Sequence, residues 1–171
     1  MPNNMLLAFV LLLSSFPTHG FSDEHKGGKN LSPVTNELYK NTCGHCHFAY
    51  QPGLLPERSW KKMMDFPGTH PGGALSLDAS TKEKIRKYLV QNSAENSPSK
   101  ASAKMLASIN SGCAPLRISE VPYIKYKHRE IQPDVFKRKS VSSIGNCTAC
   151  HRKAGQGVYG NDVLIPKRQT G

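Results

Sequence analysis

Long apolar stretches are missing from this chain. The longest, Met5–Leu13, counts nine residues, well short of the ~20 that a membrane-spanning helix needs. Acidic residues are also scarce, with 12 Asp and Glu against 23 Lys and Arg, a formal net charge of +11. Hydrophobic residues make up 37 % and aromatics 8 %, with a single Trp, which is modest for a core built from side chains alone. No Val/Ile-rich strand leads into the first cysteine pair, which argues against a βαβ redox fold of the thioredoxin kind.

What is present is a signature that occurs twice: Cys43-Gly44-His45-Cys46-His47 and Cys147-Thr148-Ala149-Cys150-His151. Cys-x-x-Cys-His is the attachment pattern of c-type haem. On one helical turn, positions i, i+3 and i+4 share a face. Two thiols can then bond the two vinyl groups of one porphyrin while the following imidazole reaches its iron. A structural zinc site could also use two Cys-x-x-Cys pairs, but it would leave both trailing histidines without a role. Two motifs therefore imply two covalent haem c groups, held by Cys43, Cys46, Cys147 and Cys150, with His47 and His151 as proximal iron ligands.

The short apolar run fits the h-region of a secretory signal, with cleavage after Gly20 or Ser22. The n-region is weak, since no Lys or Arg precedes the run, and an uncleaved anchor is the competing reading. Export agrees with the motifs, because bacterial c-type haem is attached outside the cytoplasm, and it points to the periplasm. Residues 1–20 are thus read as a signal peptide, 21–98 as an N-terminal haem domain and 99–171 as a C-terminal one. The fold class is mainly α: two small cytochrome c-like helical haem domains with little or no β-sheet. A porphyrin supplies each with apolar surface that few aliphatic side chains would otherwise provide.

Along the chain, 21–30 reads as a polar arm. A helix is expected from about Pro33 through the first motif, and another from Leu55-Pro56 with Trp60, Met63, Met64 and Phe66 on one apolar face. A third should run from Ala79 to about Asn92, capped by Asp78, with Ile85, Leu89 and Val90 inward. Residues 92–104 are small and polar and read as a linker. Val121–His128 should be helical, with a further turn at Pro133-Asp134. Gly155-Gln156-Gly157 is weak evidence for a nucleotide loop and is read as backbone passing close to a porphyrin edge. The fifth cysteine, Cys113, has no internal partner and is expected to be buried and inert.

The sixth iron position decides between electron transfer and ligand chemistry. Of the remaining histidines, His19 falls in the signal, His25 in the arm and His45 inside the first motif, leaving His70 and His128. His70 follows His47 by 23 residues, and His128 precedes His151 by 23. Spacing alone leaves open which haem each would serve, and Met63, Met64 and Met105 are competing ligands. Bis-His coordination at both irons is the favoured reading. Basicity in an exported haem protein speaks for an acidic protein partner or an anionic membrane surface rather than nucleic acid.

The stretch from Cys43 to Met64, with its His47-Phe48-Ala49-Tyr50 and Ser59-Trp60 blocks, resembles the dihaem cytochrome c family. Leu77-Asp78, Lys87-Tyr88-Leu89, Lys127 to Ile131 and Asn146 to His151 also fit, so the likeness covers roughly 38–166. The resemblance implies two low-spin bis-His haems, on His47 with His70 and on His128 with His151. It further implies an electron carrier rather than an enzyme, working with a high-spin monohaem cytochrome and a membrane b-type cytochrome. His70-Pro71-Gly72-Gly73 departs from the family's more usual His-Phe-Gly, and Cys113 has no counterpart in the pattern. A peroxidase-like haem enzyme or a gas or redox sensor, each with one open iron, is the alternative.

Overall fold

The computed structural model describes residues 30–160 and 163–167. The signal peptide, most of the polar arm, His19 and His25 lie outside the described residues. Among the described residues six short α-helices carry the fold: α1 Glu37–Cys43, α2 Glu57–Asp65, α3 Ala79–Gln91, α4 Lys100–Ser108, α5 Pro122–Lys127 and α6 Pro133–Lys137, interspersed with single 3-10 turns. Among the described residues the only β-pairing is an isolated antiparallel bridge between His151 and Val163. The mainly α expectation holds.

Local signals explain most boundaries. Asn36 caps α1 by accepting from the Tyr39 amide, and Asp78 caps α3 by accepting from that of Thr81. Such caps satisfy amides that the first helical turn leaves without intrahelical partners. Pro122 and Pro133 open α5 and α6, where a missing N–H costs nothing. Helix α2 packs on α3, and α1 also leans on α3. Trp60, Met63, Met64, Ile85 and Leu89 are buried, as their spacing predicts. Val90 is only half-buried. Phe66 is 63 % exposed because α2 ends at Asp65 and the chain turns away there.

The expected linker is not one. Residues 94–96 form a 3-10 turn and 100–108 form α4, capped by Ser99. Its small polar residues are buried partners rather than solvated spacers: the Ser102 hydroxyl donates to the Gly53 carbonyl at 2.8 Å, and the Ala94 amide donates to that of Leu55 at 3.0 Å. Met105, Ile109, Ile118 and Val121 join Leu54, Leu55 and Trp60 in one continuous apolar cluster. Residues on both sides of the expected 98/99 boundary therefore share a core. Past Val121 buried apolar side chains thin out to Val135, Val141 and Ala154.

Gly157 adopts φ +75°, and its backbone packs closely against that of Leu31. The Leu31 amide donates to the Gly157 carbonyl at 2.9 Å, and a Cβ on Gly157 would collide with the Leu31 carbonyl oxygen. Only glycine takes both that dihedral and that proximity without strain.

Candidate haem sites

Helix α1 delivers the first motif. It ends on Cys43, and Gly44 caps it by donating to the Lys40 carbonyl. The second motif forms a single 3-10 turn over Cys147–Ala149, with the His151 amide donating to the Cys147 carbonyl at 2.8 Å. Burial, helped by the neighbouring Cys46 sulfur, pushes the free Cys43 thiol up to about 11, and burial pushes Cys147 up to about 11. Both are thus held as thiols until they are consumed in bonding.

The four candidate iron ligands gather in two pairs. His47 and His70 have ring centres 5.9 Å apart with planes 14° from parallel. His128 and His151 have centres 6.0 Å apart with planes at 80°. An imidazole nitrogen bonds a first-row metal at about 2 Å, and the ring centre lies roughly 1 Å beyond, so two imidazoles trans on one iron stand about 6 Å apart. The structure brings together the residues that spacing had left unassigned, His70 with His47 and His128 with His151. Two imidazoles are too few for a bare metal ion, whereas a porphyrin adds four equatorial nitrogens. Met63, Met64 and Met105 are buried in the apolar core.

Outer contacts orient the rings, and at His70 the Gly72 amide, 3.2 Å from Nδ1, competes with the Gly73 carbonyl for that nitrogen. A histidine that binds metal through Nε2 carries its proton on Nδ1 and donates it to a fixed acceptor. His47 Nδ1 lies 2.7 Å from the Phe48 carbonyl, His70 Nδ1 3.1 Å from that of Gly73, and His128 Nδ1 2.8 Å from that of Ile124. Pro71-Gly72-Gly73 thus closes a turn that supplies the acceptor for His70. His151 differs, its Nδ1 being buried with no partner among the described residues. Burial lowers the His70 and His151 rings below the ordinary imidazole range, favouring the neutral form that metals require.

A cavity of about 580 Å³ lies beside the first motif, lined among others by Val34, Gly44, His47, Phe48 and Gly155. Its size is that of a small-molecule or cofactor site. The family model for dihaem cytochrome c matches residues 39–159. The chain belongs to the dihaem cytochrome c family. It therefore carries two covalently bound haem c groups and serves electron transfer rather than catalysis. The chain is similar to the solved dihaem cytochrome c from Rhodobacter sphaeroides, with 37 % identity over 74 % of this chain and 98 % of that one, at a TM-score of 0.65. It is also similar to the dihaem cytochrome from Shewanella baltica OS155, with 30 % identity over 78 % and 94 % of the two chains, at 0.63. A comparison with curated proteins finds no significant match.

For a dihaem cytochrome, three residues near the motifs carry more than sequence suggested. Tyr50 stacks on His47 with centres 5.0 Å apart, Tyr159 meets His151 at 5.4 Å, and Gln51 accepts from the Tyr159 hydroxyl. Tyr159 lies 108 positions from Gln51, and no local pattern links residues that far apart. Cys113 is exposed rather than buried, because its loop is pinned outside α2 by Arg58, which donates to the Cys113 and Asn110 carbonyls. No helix among the described residues is long and apolar enough to cross a membrane.

Proposed function

We propose that this dihaem cytochrome is an exported, periplasmic one-electron carrier in which both irons are six-coordinate. Cys43 and Cys46 anchor one haem, ligated by His47 and His70. Cys147 and Cys150 anchor the other, ligated by His128 and His151. The two domains expected on either side of residue 98 then correspond to haem sites, each drawing both histidines from its own side of the chain. The pairing at 5.9 and 6.0 Å supports this ligand set most directly.

Haem supplies a ferric/ferrous couple when bound. The chain's task is to cap both faces of each iron with nitrogen, which leaves no coordination site for oxygen or peroxide. Carbonyl acceptors on His47, His70 and His128 hold those rings in place through a change of iron charge, which keeps reorganisation small.

Electrons would arrive from a membrane b-type cytochrome and leave to a soluble high-spin monohaem cytochrome. Next to His128, the exposed Lys125, Tyr126, Lys127 and Arg129 form a cationic and aromatic rim, with the Arg129 guanidinium 4.1 Å from the Tyr126 ring centre. That rim suits steering of an acidic partner, with encounter rates that fall as salt rises. Replacing His70 or His128 by Ala, and recording the spectrum of the haem-loaded protein, tests the ligands. One haem of the two should turn high-spin in each variant, and an unchanged low-spin spectrum would refute the assignment.

A further inference from the structure

Each motif histidine rests against a tyrosine, and each tyrosine hydroxyl reaches across to the other motif. Tyr50 stacks on His47 at 28°, and its hydroxyl donates to the Gly145 carbonyl at 2.7 Å. That carbonyl also accepts from the Cys147 amide at 2.9 Å. Tyr159 meets His151 at 63°, and its hydroxyl donates to Gln51 Oε1 at 2.5 Å. Gln51 Nε2 in turn donates to the Ala154 carbonyl at 2.6 Å.

Gln51 is 1 % exposed, and both of its side-chain polar atoms are paired with the opposite half of the chain. Buried polar groups satisfied on both sides are costly to disconnect and specify a single geometry. Tyr39 braces the arrangement by donating to the Tyr50 carbonyl at 2.8 Å. Two crossings at separate points fix rotation as well as distance, which a single contact would not.

We infer that Tyr50, Gln51 and Tyr159 are positioning residues that lock the His47 and His151 rings in one mutual orientation, so that the two haem sites form one rigid electron-exchanging unit. This rests on the axial-ligand reading above. It separates the pair of sites from two haems that merely share a chain: a change at Gln51, which touches neither histidine, should be felt at both.

The test is electron paramagnetic resonance of the oxidised, haem-loaded protein carrying Gln51→Met, with Tyr159→Phe as a second variant and Lys100→Met, at the exposed start of α4, as a control. Covalent haem content is measured alongside, and the two ferric signals are assigned through His70→Ala. Gln51→Met should keep both haems covalently attached yet shift the g-values of both, Tyr159→Phe should do the same, and Lys100→Met should shift neither. Unmoved signals, or a shift confined to one haem, would overturn the inference. So would haem loss in both variants with normal loading of the control, since the residues would then be structural only. A wild-type protein lacking two low-spin signals would instead sink the ligand assignment itself.

Discussion

The rings of His128 and His151 stand 80° to one another with centres 6.0 Å apart. The His47 and His70 rings, almost equally spaced, are within 14° of parallel. Parallel imidazoles split the iron d orbitals more than perpendicular ones, so the two ferric haems should give distinct low-spin resonance signals, one rhombic and one strongly anisotropic. Among the described residues His151 also lacks the Nδ1 acceptor that the other three histidines have, which on those contacts makes it the weaker donor. The haem at Cys147–His151 should therefore reduce first in a potentiometric titration followed by resonance. Superimposable signals, or earlier loss of the ferric haem at Cys43–His47, would contradict this.

Cys113 gives a stoichiometric check on haem attachment. With four cysteines in thioether bonds, the native haem-loaded protein should titrate one accessible thiol per chain, and Cys113→Ser none. Titration of two or more in the parent would mean an incompletely bonded motif.

Gly157 holds the Leu31 backbone against the turn that follows the second motif. Alanine there meets both a left-handed dihedral and the Leu31 carbonyl. Gly157→Ala should lose about 2–4 kcal/mol in denaturant unfolding. Gly112→Ala, in open space beside the exposed Cys113 loop, should stay within about 0.5 kcal/mol of the parent. Equal effects would refute the proposed close approach.

Acid sensitivity should trace partly to Asp78. Hydrogen bonding to Thr81, from side chain and backbone, holds its carboxyl below the usual range in the folded state. A depressed folded pKa contributes stability that is full above the unfolded value, near ~4, and is lost as pH falls through the folded one. Asp78→Ala should be less stable than the parent at neutral pH, with the gap closing as pH falls below ~4. A gap that is constant with pH would rule out the ionised cap.

Much of this was legible in the residues. The Cys-x-x-Cys-His motifs encode their chemistry in five positions, and helix α3 with its Asp78 cap follows from periodicity and one side chain. Residues 92–104 misled because Ser99 and Ser102 are small enough to bury once hydrogen-bonded, which composition reads as solvated spacer. Cys113 misled because a cysteine is usually buried, whereas Arg58 fixes this loop from outside. The Tyr50–Gln51–Tyr159 contacts could not be read at all, since long-range hydrogen bonds leave no local pattern.

The most direct measurement is a carbon monoxide difference spectrum of the dithionite-reduced, haem-loaded protein. On the proposed ligation by His70 and His128, addition of the gas should leave the spectrum unchanged. Rapid binding at either haem would contradict bis-His coordination there and point to an open iron site.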